Sequence, residues 1–286
     1  MDLPHAVKTL GGAGTNRAET GGYWNALSTD TWDPGQYERF SDERSAPFFD
    51  LLALVEPSDQ GKVVDLGCGT GELTRVLHER TGASATLGID TSEAMLARSE
   101  AYAGDGLRFE LGDIGEWRPA EPLDIVFSNA ALHWVDDHRE LFARLTSALR
   151  PGGQLAVQVP ANHDHASHLV AEQVAAEEPF HSALGGYIRK SPVLAPELYA
   201  TLLQRLGYES QLVRMHVYLH VLPEPAAVVD WVKGTLLTDY KRRLPDELYD
   251  DFVARYRELL LAELPDERPY PFTFKRVLLR SRRPGG

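Results

Sequence analysis

The stretch Lys62-Val63-Val64-Asp65-Leu66-Gly67-Cys68-Gly69-Thr70-Gly71 decides the fold of this chain. Its first half is short and mostly apolar and predicts a buried strand over 62–66. Three glycines at alternate positions follow, and residues 72–80 predict a helix. Because glycine has no side chain and adopts backbone angles that strain other residues, such a turn brings backbone amides close to a ligand. The sequence therefore predicts a ligand site between a strand and a helix.

The spacing of these glycines and the acid before them restrict the kind of ligand. A dinucleotide fingerprint needs a third glycine five residues after the first, where this chain has Glu72. Asp65 directly precedes the turn, where it disfavours a pyrophosphate and favours a cation. S-adenosylmethionine carries an ammonium and a sulfonium and lacks phosphate, so we expect it here. A purely structural glycine turn is the alternative.

Strand and helix patterns alternate through the first half of the chain. The strand candidates are 62–66, 85–89, 107–110, 123–127 and 154–159, and the helix candidates are 45–55, 71–80, 92–102 and 138–149. Apolar strands joined by helices predict a parallel sheet covered on both faces, with ligands at the carboxyl ends of its strands. Two further strand candidates lie at 209–221 and 272–280. We expect an α/β fold with a doubly wound, mostly parallel, seven-stranded sheet and a helical cap.

The cap is predicted from two long segments that interrupt this alternation, 160–194 and 223–270. If the strands at 154–159 and 209–221 run parallel, both segments leave from the ligand end of the sheet. Decorations remote from the site are the alternative. The predicted segments are a flexible N-terminal arm (1–30), a lid helix and ligand-binding core (31–159), a cap insertion (160–194), a continuation of the core (195–222), a helical cap (223–270), and a closing strand and tail (271–286).

Polar residues follow the predicted strands where the strands end. Asp90 ends the second strand, and a carboxylate there can accept both ribose hydroxyls of an adenosine, although a helix N-cap is the alternative role. Asp113 and Ile114 follow the third strand, where they could contact the adenine amino group and ring. Asn129 follows the fourth strand and would lie under the methionine moiety. His133-Trp134 comes next and is expected near the sulfonium.

Composition excludes several classes of function. The net charge of −13 over 286 residues argues against general nucleic-acid binding, which needs a basic surface. The single cysteine excludes an internal disulfide and fits a reducing compartment. The chain lacks both a secretory apolar region and a run near the ~20 residues of a membrane span. We expect a cytoplasmic monomer or homodimer that acts on a small molecule, without nucleic-acid or membrane partners.

Several of these motifs resemble those of class I S-adenosylmethionine-dependent methyltransferases, which have a Rossmann-like fold. They are Asp65-Leu66-Gly67-Cys68-Gly69-Thr70-Gly71, Gly88-Ile89-Asp90 and Leu149-Arg150-Pro151-Gly152-Gly153, within about residues 61–159. A narrower resemblance is to the trans-aconitate methyltransferase group, whose members esterify a carboxylate of a small polycarboxylic acid. It is carried by Trp32-Asp33-Pro34-Gly35-Gln36-Tyr37, Phe40, Glu43-Arg44, Asn129-Ala130-Ala131-Leu132-His133-Trp134, Gln158-Val159-Pro160 and Asp230-Trp231-Val232.

These patterns and resemblances together give a candidate site. His133 is the candidate catalytic residue, and by similarity Tyr37 and Arg44 would help to close the site. The candidate residues for S-adenosylmethionine, or its product S-adenosylhomocysteine, are Gln36, Arg44, Asp65, Gly67, Cys68, Gly69, Gly71, Asp90, Thr91, Met95, Asp113, Ile114, Asn129, Ala130 and Trp134. The candidate substrate-binding residues are Tyr37, Trp134, Gln158, Lys233 and Arg276. No metal is predicted, because the spacing of His163, His165 and His168 is better explained by a cap or loop.

The acceptor decides what His133 must do. A carboxylate with a pKa near 4 is already ionised at neutral pH and needs no general base. Its companion carboxylates need cationic partners, preferably bidentate arginine, and Arg44, Lys233 and Arg276 are the candidates. A hydroxyl acceptor would instead require His133 as the general base. The remaining alternative is a protein that binds S-adenosylmethionine without catalysing transfer.

Overall fold

A computed structural model describes the backbone of residues 41–285 and the side chains from Ser45 onward. The predicted arm at 1–30, Gln36 and Tyr37 lie outside the described residues, and so does the side chain of Arg44. These predictions therefore stay predictions.

One seven-stranded sheet organises the described part of the chain. Its strands are β1 (Lys62–Leu66), β2 (Ala85–Asp90), β3 (Leu107–Leu111), β4 (Leu123–Asn129), β5 (Leu149–Pro160), β6 (Ser210–Leu222) and β7 (Tyr270–Arg282). Their order is β3-β2-β1-β4-β5-β7-β6, and all neighbouring pairs are parallel except the two that involve β7. The predicted fold class, doubly wound with a mostly parallel sheet, is confirmed.

Helices cover both faces of this sheet. They are α1 (Ser41–Leu52), α2 (Glu72–Thr81), α3 (Glu93–Ser99), α4 (His138–Ala148) and α7 (Pro196–Arg205). Leu145 of α4 and Leu203 of α7 are fully buried against one face, and Leu51 of α1 and Leu77 of α2 against the other. Apolar residues at helical spacing thus bury both faces of the strands, as a parallel sheet requires.

The remaining helices form a second apolar cluster beside the sheet, which we call the cap. They are α5 (Ala166–Ala175), α6 (Phe180–Ala183), α8 (Ala227–Lys233), α9 (Thr238–Arg243) and α10 (Asp246–Glu263). Trp231, Tyr240 and Phe252 are buried in its centre. Because β5 and β6 are both antiparallel to β7, they run in the same direction. Both cap segments therefore leave from carboxyl ends of the sheet, where the glycine turn also lies.

One local prediction differs from the structure. The fifth strand is predicted over 154–159, whereas β5 begins at Leu149 and includes Pro151-Gly152-Gly153, and the pairing of β5 with β4 shifts around this segment. The reason is that its backbone stays hydrogen-bonded: Gly152 N donates to Pro284 O and Gly153 O accepts from Arg283 N, both at 2.9 Å. The region 223–270, predicted as a helical segment, contains the three helices α8, α9 and α10, as expected.

Candidate active site

The glycine turn between β1 and α2 forms one wall of a cavity. Gly67 (φ 85°) and Gly69 (φ 55°) both have left-handed backbone angles, which favour glycine. A Cβ atom on Gly67 would lie 2.1 Å from the Cβ of Ala131, whereas one on Gly69 would meet no atom within 4 Å. The N–H groups of Gly67 and Cys68 both donate to the carbonyl of Ile89, at 2.8 and 3.0 Å. The turn is thus fixed to β2 and leaves open space at Gly69.

Asp90, at the end of β2, fixes this turn from the other side. Its Oδ2 accepts a hydrogen bond from Gly69 N and its Oδ1 accepts one from Ser92 N, both at 2.9 Å. Ser92 caps α3, because its Oγ accepts from Met95 N at 3.2 Å. The alternative role of Asp90 as the N-cap of this helix is therefore taken by Ser92. Asp90 itself lines the cavity.

Asp65, which precedes the turn, and Cys68 and Gly71, which belong to it, are absent from the described cavity wall. Asp65 is only 4% exposed and its Oδ2 accepts from Thr74 Oγ1 at 2.6 Å. Burial raises the pKa of Asp65 to about 7. Burial, together with the charges of Asp65 and Asp90, also raises the pKa of the Cys68 thiol, which stays protonated at neutral pH. In this structure these residues support the turn from outside the cavity wall.

The cavity has a volume of about 240 Å³ and lies under the cap. The predicted site residues that line it are Gly67, Gly69, Asp90, Thr91, Met95, Asp113, Ile114, Asn129, Ala130, His133, Trp134 and Arg276. Of its acidic residues, Asp90 ends β2 and Asp113 follows β3. Its arginines, Arg189, Arg242 and Arg276, come from the cap segments and β7. One cavity thus offers carboxylates to a cation and guanidinium groups to an anion.

Asn129 ends β4 inside this cavity. Within residues 45–285 its buried Oδ1 atom has no hydrogen-bond partner. A buried acceptor left unpaired is unfavourable and calls for an explanation such as a ligand. The next residue, Ala130, has a left-handed φ of 54°, and its N–H donates to Gln158 O at 2.9 Å. The chain thus turns sharply after β4. The unpaired Oδ1 of Asn129 is an acceptor suited to an ammonium group.

His133 lies in the short 3₁₀ turn Leu132–Trp134 that follows β4. Its Nδ1 is buried and finds no hydrogen-bond partner in the described part of the chain. Burial, and then the charges of Arg189 and Arg276, hold the pKa of His133 well below its ordinary value. The ring centroids of His133 and Trp134 are 4.9 Å apart. His133 is therefore a neutral imidazole beside the indole of Trp134, under the influence of two guanidinium charges.

Arg276, on β7, is a predicted residue that the structure brings to the cavity. It is 5% exposed, and its guanidinium donates to Gln158 Oε1 at 3.4 Å. Gln158 itself is fully buried on β5 and is not part of the described cavity wall, so it contacts the site through Arg276. The structure does not bring Lys233 to the cavity, although Trp231 and Thr235 from the same region line it.

Arg189 is a cavity residue that the sequence analysis missed. It lies in the loop between α6 and α7, with its guanidinium carbon 4.0 Å from the centroid of the Trp134 ring. Its side chain is 13% exposed and its Nη1 lies 3.6 Å from Asp239 Oδ2. The loop has no apolar periodicity and no recognisable motif. Only the packing of the cap brings it to the cavity, so no local signal could have identified it.

Between Ser45 and Gly285, no group of three His, Cys, Asp or Glu side chains could hold a metal ion. His163 and His168 line the cavity, whereas His165 accepts from Ser167 N at the start of α5. None of the helices from Ser41 onward combines the length and apolar character that crossing a membrane requires.

Solved structures and a family model agree with this fold. Residues 63–153 match the family model described as a methyltransferase domain. The YcgJ protein of Bacillus subtilis aligns with a TM-score of 0.54 and 13% identity, covering 84% of this chain and 99% of that one. A protein from Bacillus halodurans aligns with a TM-score of 0.56 and 15% identity over the same shares. At such low identity these structures support the fold alone.

Closer relatives cover nearly the whole chain. The trans-aconitate 2-methyltransferase of Deinococcus radiodurans is 48% identical over 260 residues, which are 89% of this chain and 99% of the relative. The enzyme of the same name from Streptomyces coelicolor is 39% identical and covers 90% and 88%. That from Escherichia coli is 35% identical and covers 88% and 98%. With the glycine turn and the cavity described above, these similarities establish that the chain is a methyltransferase and belongs to the trans-aconitate 2-methyltransferase family.

Proposed function

We propose that this methyltransferase esterifies one carboxylate of trans-aconitate, or of a closely related small tricarboxylic acid, with the methyl group of S-adenosylmethionine. The observation that carries the proposal is the pair of arginines, Arg189 and Arg276, whose charges act on His133. Arg189 and Arg276 both line the deep cavity, and the curated relatives act on trans-aconitate by name. Of the three arginines in the cavity, these two act on His133 through their charges, and the pair favours an acceptor that keeps two carboxylates while the third reacts.

The residues at the other part of the cavity fit the methyl donor. The unpaired Oδ1 of Asn129 suits its ammonium group, and the carboxylate of Asp90 suits two ribose hydroxyls. Asp113 and Ile114 would hold the adenine, and Thr91 and Met95 complete the wall. Asp65, Cys68 and Gly71 would act indirectly by shaping the turn. When bound, S-adenosylmethionine supplies an electrophilic methyl group on a positively charged sulfur.

The state of His133 agrees with a carboxylate acceptor better than with a hydroxyl acceptor. An efficient general base has a pKa near the working pH. The pKa of His133 lies well below its ordinary value, so it is a poor base for an alcohol or a phenol. A carboxylate is already ionised and gives up no proton. We propose that neutral His133 donates or accepts one hydrogen bond that orients the acceptor, beside the wall formed by Trp134.

The chain contributes to the reaction mainly by positioning and by exclusion of water. Methyl transfer requires the nucleophile, the methyl carbon and the sulfur to lie in line, and alignment of this kind can supply several kcal/mol of the barrier. Guanidinium groups on β7 and on the cap fix the acceptor from two directions. The cap also excludes water, which favours a step in which opposite charges are partly neutralised. Tyr37 and Arg44 remain predicted contributors to closure, and Gln36 remains a predicted contact of the methyl donor.

We propose a cytoplasmic monomer or homodimer without a nucleic-acid partner, in line with the net charge of −13. We also propose that the cap segments 160–194 and 223–270 enclose the site, whereas 195–222 and 271–286 complete the core.

An acceptor panel tests the proposal directly. The purified protein would be incubated with methyl-labelled S-adenosylmethionine and with trans-aconitate, cis-aconitate, citrate, monocarboxylic acids, phenols or alcohols. We expect a base-labile methyl ester and the highest kcat/KM with trans-aconitate. Transfer only to phenols or alcohols would refute the carboxylate assignment. Binding of the donor without transfer to any acceptor would refute catalysis.

A further inference from the structure

The guanidinium of Arg189 can bind a carboxylate, and no group in the described part of the chain accepts a hydrogen bond from it. Its guanidinium stacks on Trp134 at 4.0 Å and lines the cavity. In the described part of the chain, the guanidinium makes no hydrogen bond, and its nearest charge is Asp239 at 3.6 Å. This distance is too long for a hydrogen bond but short enough for an ion pair. The planar fork of Arg189 therefore retains its donors for a ligand.

Asp239 is held in place by other residues of the cap. It is buried on α9, and it accepts a hydrogen bond from the hydroxyl of Tyr187. Its Oδ1 lies 3.4 Å from Arg243 Nε, and the Arg243 guanidinium in turn lies 3.7 Å from the centre of the Tyr187 ring. Asp239 and Arg243 are both absent from the described cavity wall. The carboxylate thus has a fixed position beside the cavity and contacts the site through Arg189.

We propose that Asp239 is a positioning residue that fixes Arg189 to bind a second carboxylate of the acceptor. The inference rests on the proposed function and deepens it, because it assigns a cap residue to the substrate's non-reacting part. Trp134 supports the face of the guanidinium and Asp239 attracts one of its edges, so a carboxylate can bind to the remaining edge. Arg276, on the core, would bind the other non-reacting carboxylate. The bound acceptor would then contact the cap through Arg189 and the core through Arg276.

The electrostatics explain why such a positioning group is needed. Arg189 is almost buried and shares the cavity with two other cations, Arg242 and Arg276. A buried charge without a partner is costly, and an arginine left so would move toward water. Asp239 offsets this cost before the substrate arrives. Because it lies beyond hydrogen-bond distance, it does so without occupying the donors that the substrate needs.

Steady-state kinetics of variants tests this inference. In Asp239→Asn we expect the KM for trans-aconitate to rise about tenfold, with the KM for S-adenosylmethionine unchanged. In Arg189→Gln the KM for trans-aconitate should rise about 10- to 100-fold, the range expected for losing hydrogen bonds to a charged group. Arg189→Lys keeps the charge but loses the planar fork, so an intermediate value is expected. Calorimetric titration of trans-aconitate into the complex with S-adenosylhomocysteine should give the same order of affinities.

A matched control separates positioning from general damage to the cap. Glu177 is a cap carboxylate that pairs with Arg255 at 2.8 Å and is absent from the described cavity wall, so Glu177→Gln should leave both KM values unchanged. If the wild type methylates trans-aconitate but Asp239→Asn and Arg189→Lys keep its KM, the inference is wrong and the proposed function stands. If the variants raise the KM for S-adenosylmethionine as much as the KM for trans-aconitate and also lower the unfolding midpoint, Asp239 has only a structural role. If the wild type methylates no carboxylic acid, the inference and the proposed function both fail.

Discussion

A methyl group added to the glycine turn should have very different effects at two positions only two residues apart. Gly67→Ala and Gly69→Ala both place alanine at a positive φ, which costs about 1–2 kcal/mol. At Gly67 the new Cβ would also lie 2.1 Å from the Cβ of Ala131, far inside the normal contact distance of about 3.5–4.0 Å between carbons. Relief of such overlap typically costs a further ~1–3 kcal/mol. We therefore expect Gly67→Ala to lose about 2–5 kcal/mol and Gly69→Ala only about 1–2 kcal/mol.

Urea unfolding of the two variants measures this difference, and titration with S-adenosylhomocysteine measures the state of the site. Ala131 cannot rotate away, because its Cβ is its whole side chain, so the turn itself must move in Gly67→Ala. Gly69→Ala should fold nearly as well as the wild type but bind the nucleoside more weakly, since the methyl group enters open space at a residue of the cavity wall. Equal losses of stability in the two variants would refute the packing argument.

Three further predictions concern the acids and the imidazole of the site. With trans-aconitate, kcat should be flat from pH 6.5 to 9, because His133 is already neutral there. The kcat of His133→Asn should fall by less than about tenfold, the value of one neutral hydrogen bond. A kcat that falls with an apparent pKa of 6–7 would show that His133 is an essential base. Because the folded pKa of Asp65 is raised from 3.8 to about 7, the folded state retains a proton that the unfolded state loses, and stability falls as pH rises through this window. The loss in the free energy of unfolding between pH 4 and 7.5 amounts to roughly 4 kcal/mol and should be absent in Asp65→Asn, as measured by urea unfolding. Parallel pH profiles of stability for the wild type and Asp65→Asn would contradict this prediction. Asp90→Ala removes the acceptor of Gly69 N and Ser92 N, so calorimetry should show at least about tenfold weaker S-adenosylhomocysteine binding, and unchanged affinity would exclude Asp90 from the donor site.

The part of the site that lies on the sheet could be predicted from sequence because it depends on local rules. Parallel strands end at a common edge, so residues that follow successive strands meet there. Asp90, Asp113 and Asn129 line one cavity for this reason. The sequence could not distinguish a residue that faces the ligand from one that supports the turn. Asp65 immediately precedes the turn, yet it is buried beneath it against Thr74.

The sequence could predict that a cap exists, but not which of its side chains face the cavity. Successive residues of a helix point about 100° apart, so the orientation of α8 decides which of its side chains face the cavity. Trp231 does, whereas Lys233, two residues later, does not. Arg189 belongs to a loop whose position depends on the packing of several helices from distant parts of the chain. Such contacts leave no periodic signal, and the charge of Arg189 alone is no more informative than that of an exposed arginine.

A crystal structure with S-adenosylhomocysteine and trans-aconitate would test the central claim most directly. The account predicts the nucleoside along Asp90 and Asp113, and two carboxylates within hydrogen-bond distance of Arg189 and Arg276. The third carboxylate should point at the sulfur, with His133 beside it. Carboxylates bound away from both arginines, or a nucleoside outside this cavity, would contradict the account.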